Sequence, residues 1–219
     1  LVGLLVAVAV VLVVGIADLW DLRWWVKMAG QFCAGLAVAL GGIRNEAMPV
    51  GWIPVGSEAM QIALTVFAVV LTMNALNFVD GLDGLAAGVA LIGGSAFFVY
   101  SYLLTRTINQ FDYANLATLL MALLVGACLG FLPWNRFPAR IFMGEVGAMR
   151  IGLLMAAAAV AVTADVNALD GMRFRNVPAY MPILLPIAVL ALPLLDLALA
   201  VVRRTATGNS PFSADRGHL

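Results

Sequence analysis

The densest group of residues that could do chemistry lies in the segment NALNFVDGLDGL, residues 74–85. Polar side chains recur at every third position, so neighbouring pairs share a helical face unless the helix tightens or breaks near the glycines. Two carboxylates and two amides suit a Mg²⁺ ion that carries a diphosphate, because hard cations take oxygen ligands. The alternative is a structural cap, with Asp83 as the N-cap of a helix that begins at Leu85. The polar residues concerned are Asn74, Asn77, Asp80 and Asp83.

A further carboxylate, Glu145, stands between two glycines in the segment FMGEVGA, residues 142–148. A helix that begins near Ala148 would hold Glu145 at its N-terminus, where a phosphate could approach the backbone. A glycine-rich cap is the structural alternative. Just upstream, Asn135, Arg136 and Arg140 offer an amide for a base or sugar and two cations for phosphate. Interfacial arginines that snorkel to the membrane surface are the alternative for those two cations.

Acidic and basic residues also follow the first apolar run, where Asp18 and Asp21 precede Arg23 and Lys27. Taken alone, these residues could simply be charges that flank a helix. In combination with the other polar segments, they become candidates for contact with a phosphate.

The last ten residues, SPFSADRGHL, are polar and rich in turn formers, and they include Arg216 and His218. His218 is the only histidine, and a lone histidine indicates catalysis only weakly. Asp196 lies within the last apolar run, where a charge is expensive, and its role is left open.

The composition identifies the environment that these segments share. Of 219 residues, 63% are hydrophobic and 11% are charged, with a mean hydropathy of +1.02, whereas a soluble domain carries about 25% charged residues. The chain is therefore predicted to be an integral membrane protein. Twelve basic and twelve acidic residues balance, and no Lys/Arg run offers a nucleic-acid surface. Cys33 and Cys128 lie in apolar runs and cannot form a disulfide framework or a zinc site.

Apolar runs near the ~20 residues that span a bilayer predict an all-α, polytopic transmembrane helical bundle of about seven spans. No repeat or long linker divides the chain, so residues 1–219 are interpreted as one membrane-embedded domain. No charged segment or cleavage site marks a signal peptide, and the sequence is interpreted as a piece that begins inside a helix. The predicted spans are Leu1–Ile16, Met28–Gly42, Glu58–Val79, Leu85–Leu104, Leu116–Leu132, Ile151–Ala164 and Met181–Val202.

Counting spans places all the polar segments described above on one side of the membrane. That side carries eight basic residues and the other side four. The positive-inside bias therefore predicts that the polar side is cytoplasmic. Loops that converge in one aqueous compartment are what an active site at a membrane surface needs.

Together, these segments resemble the polyprenyl-phosphate N-acetylhexosamine-1-phosphate transferases of glycosyltransferase family 4. The matching motifs, in order, are GIADLWDLRWWVKMAGQ (Gly15–Gln31), NALNFVDGLDGLAAG (Asn74–Gly88), IFMGEVGAMRIG (Ile141–Gly152) and SPFSADRGHL (Ser210–Leu219). Members of that family usually have about ten or eleven spans of about 20 residues, so the chain resembles their C-terminal two-thirds, truncated at both ends. Two departures stand out: Asp18 replaces a pair of adjacent aspartates, and Glu145 replaces an aspartate.

The resemblance implies a role for each candidate residue. Asp83 and Glu145 would bind Mg²⁺, or Mn²⁺ in its place, with the carboxylate of Asp80 close by. Asp18 would deprotonate or orient the lipid phosphate. The implied catalytic residues are thus Asp18, Asp80 and Asp83. The implied substrate-binding residues are Lys27, Asn74, Asn77, Asn135, Arg216 and His218.

The implied reaction is UDP-HexNAc + polyprenyl phosphate → polyprenyl-diphospho-HexNAc + UMP, with GlcNAc as the favoured sugar, for cell-envelope polysaccharide synthesis. The expected partners are the UDP-sugar, the polyprenyl phosphate and a bacterial plasma membrane, with a homodimer as an open alternative. A phospho-MurNAc-pentapeptide transferase and a catalytically silent relative with a lipid-binding or assembly role are the main rivals. An ion-coupled transporter is disfavoured because the acids cluster at span ends and no repeat is present.

Overall fold

A computed structural model describes residues 2–17, 23–44, 57–108 and 115–167, together with scattered helical positions between 191 and 206. The first four ranges form six helices, and the described residues contain no strand. The predicted all-α fold is confirmed. The helices are α1 (Val2–Ala17), α2 (Trp24–Leu40), α3 (Glu58–Val79), α4 (Leu85–Ile108), α5 (Leu116–Asn135) and α6 (Gly144–Asn167).

The bounds of α3 agree with the prediction at both ends because local signals mark them. The side chain of Ser57 accepts a hydrogen bond from the Met60 N–H at the start, and Asp80 caps the end. The start of α6 was predicted too late: the helix was expected from near Ala148 and its apolar span from Ile151, whereas α6 begins at Gly144. Glu145 and Arg150 interrupt the apolar pattern there, so hydropathy alone places the start beyond them. Relative to the predicted spans, α1 is displaced by one residue, and α2 begins four residues earlier and ends two residues earlier. The C-terminal ends of α4 and α5 extend four and three residues further.

Four of the helices are long and apolar enough to cross a membrane: α3, α4, α5 and α6. The helices α1 and α2 are apolar but shorter. Large apolar side chains such as Phe67, Ile92 and Leu123 are more than 60% exposed on the outer faces, which would be a liability in water and suits lipid. The chain is a multi-pass membrane protein. The predicted span Met181–Val202 lies largely outside the described residues.

Consecutive helices run in opposite directions, so the helix ends form two groups. At one end, which we call the polar end, α1, α3 and α5 finish while α2, α4 and α6 begin. At the opposite end, α2, α4 and α6 finish while α1, α3 and α5 begin. The helix pairs with the most extensive packing are α4 with α5, α3 with α6, α1 with α2 and α2 with α3.

Small residues let the backbones approach closely at the crossings, as is common in membrane bundles. A Cβ atom on Gly152 of α6 would lie 2.6 Å from the Cα of Met73 on α3. A Cβ atom on Gly3 of α1 would lie 2.5 Å from the Cα of Gly41, just after α2. The α3/α6 contact places the start of α6 beside the end of α3 and so builds the polar end.

Candidate active site

The turn between α3 and α4 presents two carboxylates at the polar end. Asp80 caps α3 through its backbone N–H, which donates to the carbonyl of Leu76. Gly84 takes a φ of +76°, a conformation that side chains disfavour. Asp83 lies between these two residues, and its Oδ2 accepts a hydrogen bond of 3.0 Å from the Ala139 N–H. The turn is therefore joined to the loop that follows α5.

Asn135, the last residue of α5, holds the same two segments together. Its Oδ1 accepts a bond of 3.1 Å from the Gly84 N–H, and its Nδ2 donates over 3.0 Å to the carbonyl of Ile141. The residue is only 3% exposed, so both ends of its amide satisfy backbone groups that burial would otherwise leave unpaired. The structure thus gives Asn135 a bridging role that the sequence analysis did not foresee. Its predicted contact with a nucleotide stays a prediction.

Glu145 lies in the first turn of α6, directly after Gly144, which has a φ of +68°. Its Oε2 is 2.8 Å from the Nζ of Lys27 in the first turn of α2. The side chains are 22% (Lys27) and 45% (Glu145) exposed, so the pair is open to water. A predicted metal ligand and a predicted substrate-binding residue, 118 residues apart in the sequence, are therefore in direct contact.

An amide pair, in which Gln31 is buried and Asn74 is half-buried, lies one helical turn below that ion pair. The Nδ2 of Asn74 on α3 donates to the Oε1 of Gln31 on α2 over 2.6 Å, and also to the carbonyl of Val70 over 2.8 Å. The Nε2 of Gln31 in turn points to the Oδ1 of Asn74 and to the sulfur of Met149 on α6. Asn74 was predicted to bind substrate, and here its amide joins helices. That substrate role stays a prediction.

Asp80 is in an unusual electrostatic environment for an acid at a helix end. Burial raises the pKa of its carboxyl from 3.8 to about 6, because desolvation disfavours the charged form. A carboxyl with such a pKa can exchange a proton near neutral pH. Asn77, one turn earlier, is half-buried in the last turn of α3.

Not every predicted site residue can be placed. Asp18, Arg216 and His218 lie outside the described residues. Arg136 and Arg140 are exposed on the loop after α5. Arg23 lies over the ring of Trp25, with 6.0 Å between its guanidinium carbon and the ring centroid.

The donor chemistry at the polar end fits a hard divalent cation, because the carboxylates of Asp80, Asp83 and Glu145 offer oxygen ligands. Within the described part of the chain, no three Asp, Glu, His or Cys side chains come together as a metal site on their own. A cation held here would therefore take some of its ligands from phosphate oxygens or water. That requirement matches the way Mg²⁺ is usually bound together with a phosphorylated substrate.

An apolar groove of about 390 Å³ leads along α2 and α3 to the polar end. Phe32, Val66, Phe67 and Val70 contribute to its wall, and Asn74 lies at its polar limit. Sequence reasoning missed this groove and the Gln31–Met149 contact. The spacing of Lys27 to Gln31 and of Glu145 to Met149, four residues in each case, was the available signal, since such pairs share a helical face.

These observations define a class of protein: a membrane-embedded helical bundle with acidic and basic residues from several helices gathered at one end. The family model described as "Glycosyl transferase family 4" matches residues 1–163. The chain belongs to glycosyl transferase family 4.

Curated relatives extend the match over nearly the whole chain. The decaprenyl-phosphate N-acetylglucosaminephosphotransferase of Mycobacterium tuberculosis is 42% identical over 99% of this chain and 55% of its own length. The protein of the same name in Mycobacterium leprae is 40% identical over 99% of this chain and 56% of its own length. A phospho-N-acetylmuramoyl-pentapeptide-transferase of Chlamydia trachomatis is 38% identical, but over 50% of this chain and 31% of its own length. The chain thus spans about half the length of the mycobacterial relatives.

Proposed function

We propose that the protein transfers GlcNAc-1-phosphate from UDP-GlcNAc to polyprenyl phosphate and releases UMP. The observation that carries the proposal is the ion pair of Lys27 with Glu145, at the same end of a membrane-crossing bundle as the turn that bears Asp80 and Asp83. The printed names of the mycobacterial relatives support the choice of a GlcNAc phosphate donor and a polyprenyl phosphate acceptor.

A lipid acceptor explains why such a site is built at the end of membrane helices. The phosphate has to reach the polar end while its apolar tail stays in the bilayer. The groove along α2 and α3 is apolar, is lined by exposed Phe32 and Phe67, and ends at Asn74. We assign the tail of the acceptor to this groove.

The groove assignment has its own test. Val70→Trp would fill the groove, and it should raise the KM for a long-chain polyprenyl phosphate more than the KM for a short-chain analogue. Leu123→Trp, on an exposed face of α5 outside the groove, is the matched control. Equal effects of the two substitutions would contradict the assignment.

The reaction is a phosphoryl transfer, in which an oxygen of the polyprenyl phosphate bonds to the β-phosphorus of UDP-GlcNAc and the bond to the UMP oxygen breaks. Catalysis of this kind is mostly positioning and neutralisation of charge. Lys27 supplies a positive charge at the diphosphate. We assign orientation of the acceptor phosphate to Asp18 and contact with the phosphates to Arg216 and His218, because the motifs that carry these residues resemble those of the family.

Asp83 and Glu145, with Asp80 close by, would hold Mg²⁺ or Mn²⁺. When bound, the ion would neutralise negative charge on the diphosphate oxygens. Asn77 lies in the last turn of α3, and Asn135 bonds to the Gly84 N–H, so both residues border this turn. We assign them to the nucleotide pocket.

The deciding experiment measures UMP release by the full-length protein in detergent, with polyprenyl phosphate and with or without Mg²⁺. We expect release with UDP-GlcNAc that is abolished by a chelator and by Asp83→Asn. Glu58→Gln is the matched control, since Glu58 forms an ion pair with Arg44 at the opposite end. Release that persists in the chelator or in Asp83→Asn would contradict the metal assignment.

The same assay separates the rivals. Release with UDP-MurNAc-pentapeptide alone would favour the second transferase, which the half-length match to the chlamydial protein supports. No release with either donor, with activity in a variant that combines Glu145→Asp with a second aspartate beside Asp18, would identify a silent relative.

We place the protein in a bacterial plasma membrane with its polar end in the cytoplasm. A cysteine substituted for exposed Arg140 should be labelled by a membrane-impermeant thiol reagent in inverted vesicles and protected in intact cells. The opposite labelling pattern would reverse the orientation.

A further inference from the structure

We infer that Gln31 is a positioning residue: its amide fixes α2 against α3 and α6 at the depth where Lys27 meets Glu145. The inference rests on the proposed function for its effect on turnover. Its geometry stands independently of that function. Gln31 is 3% exposed and contacts side chains from two other helices, Asn74 on α3 and Met149 on α6.

Two side-chain contacts join α2 to α6, one helical turn apart: Lys27 with Glu145, and Gln31 with Met149. Lys27 and Gln31 are four residues apart on α2, and Glu145 and Met149 are four residues apart on α6. Both helices begin at the polar end, so they run in the same direction and their turns stay in step. The Gln31 contact to Met149 therefore lies one turn below the Lys27 contact to Glu145. A shift of either helix along its axis would separate both pairs together.

The ion pair of Lys27 with Glu145 cannot by itself fix the axial position of α2 against α6. Lys27 and Glu145 have long side chains that are partly exposed, and such pairs hold geometry weakly because both chains keep alternative rotamers. The Gln31–Asn74 contact is different, because a buried amide that loses its partner is left with unpaired polar groups. Asn74 is itself tied to the Val70 carbonyl over 2.8 Å, so the amide pair anchors α2 to a fixed point on α3.

Removal of the anchor should therefore displace Lys27 from Glu145 and slow the reaction. In Gln31→Leu we expect kcat to fall by about tenfold or more, since small misplacements in a site are costly. The KM for UDP-GlcNAc should change much less. Thr72→Val is the matched control. Like Gln31, Thr72 is a buried polar residue, but it lies on α3 and its hydroxyl donates to the Ala68 carbonyl of its own helix.

Rescue by exchange separates positioning from a general loss of packing. The double variant Gln31→Asn with Asn74→Gln restores an amide on each helix and conserves the summed length of the two side chains. We expect it to recover more turnover than either single variant. A double variant no better than the singles would overturn the inference.

A register measurement that needs no activity completes the test. A carbodiimide joins a lysine amine to a carboxylate only where the two groups are in contact, and Lys27 is the only lysine among the 219 residues. In the full-length protein we expect a cross-linked peptide that joins Lys27 to Glu145. Its yield should fall severalfold in Gln31→Leu, stay unchanged in Thr72→Val and recover in the exchange variant.

An unchanged cross-link yield in Gln31→Leu would overturn the inference, whatever the enzyme assay shows. A wild-type protein without transferase activity, in which the yield still depends on Gln31, would overturn the proposed function and leave Gln31 as the residue that sets the register.

Discussion

The two ends of the bundle use their polar side chains in different ways. At the opposite end, Asn115 caps the start of α5 and Arg44 pairs with Glu58, 14 residues along the chain. At the polar end, the bonds from Asp83 to Ala139 and from Lys27 to Glu145 cross 56 and 118 residues. Polar groups at the opposite end therefore cap a helix or join segments that are close in sequence, whereas those at the polar end join helices that are distant in sequence.

This difference indicates which polar residues of the chain are candidates for function. A polar residue that satisfies its own helix end is explained by local structure. Carboxylates at one end of the bundle whose side chains cap no helix are instead candidates for function, because ionisable residues in membrane proteins often mark functional sites. Asp80, Asp83 and Glu145 belong to the second kind.

The largest expected contrast between the ends is in turnover. Asp83→Asn should lower kcat by about a hundredfold or more, because it removes a charge that the site needs. Glu58→Gln should leave kcat within about twofold, since an exposed pair such as Arg44–Glu58 contributes little. UMP release at saturating substrates measures both. Comparable losses in the two variants would break the functional distinction between the ends.

The ion pair at the polar end should matter for activity more than for stability. Lys27→Met should lower turnover by about tenfold or more through loss of a charge at the diphosphate. The pair is partly exposed, so the free energy of unfolding should change by less than about 1 kcal/mol. The control is Arg44→Met, which should be equally mild in thermal melting and silent in the assay. A Lys27→Met protein with full activity would contradict this role.

A substitution that overpacks the opposite end should lower the free energy of unfolding and leave turnover unchanged. In Gly3→Leu the added Cβ would lie 2.3 Å from the carbonyl oxygen of Ala37. Such overpacking costs about 1–3 kcal/mol, which thermal unfolding in detergent would record as a lower melting temperature. Turnover per folded molecule should be unchanged. Gly126→Ala on α5, where a Cβ meets nothing within 4 Å, is the matched control and should not destabilise.

The smallest expected effect is a pH dependence of stability from Asp80. Its folded-state pKa of about 6 lies above the ordinary 3.8, so the folded protein holds this proton more tightly than the unfolded chain. The stabilisation is complete below 3.8 and is lost as the pH rises through about 6. Melting temperatures measured in a chelator should fall over this window in the wild-type protein and fall less in Asp80→Asn. Identical pH profiles would show that Asp80 is not the group responsible.

The fold could be predicted from the sequence wherever a local signal exists. The bounds of α3 follow from its apolar run and from Ser57, which supplies the cap. The start of α6 could not be read from hydropathy, because Glu145 and Arg150 are polar residues that a helix at the membrane boundary tolerates. Their place in the helix is set by packing against α3 at Gly152.

The candidate site residues, too, could be predicted only where a local signal in the sequence exists. The carboxylates of Asp80, Asp83 and Glu145 could be named as candidates from residue type and spacing, and the contact of Glu145 with Lys27 could not. The partners of Asn74 and Asn135 could not, since an amide bonds whichever buried group the packed helices bring to it. The contacts of Gln31 needed three helices in place before they existed.

The 118 residues that separate Lys27 from Glu145 also set an order of assembly during synthesis. At about 5–20 residues per second, Glu145 leaves the ribosome roughly 6 to 24 seconds after Lys27. The Arg44–Glu58 contact at the opposite end needs only the next 14 residues. The contact between α2 and α3 at that end can therefore form as soon as the start of α3 is made. Asp83 can bond to Ala139, and Lys27 can pair with Glu145, only after the later residue of each pair has been made. The contacts at the polar end can therefore form only after α1 to α5 have been synthesised.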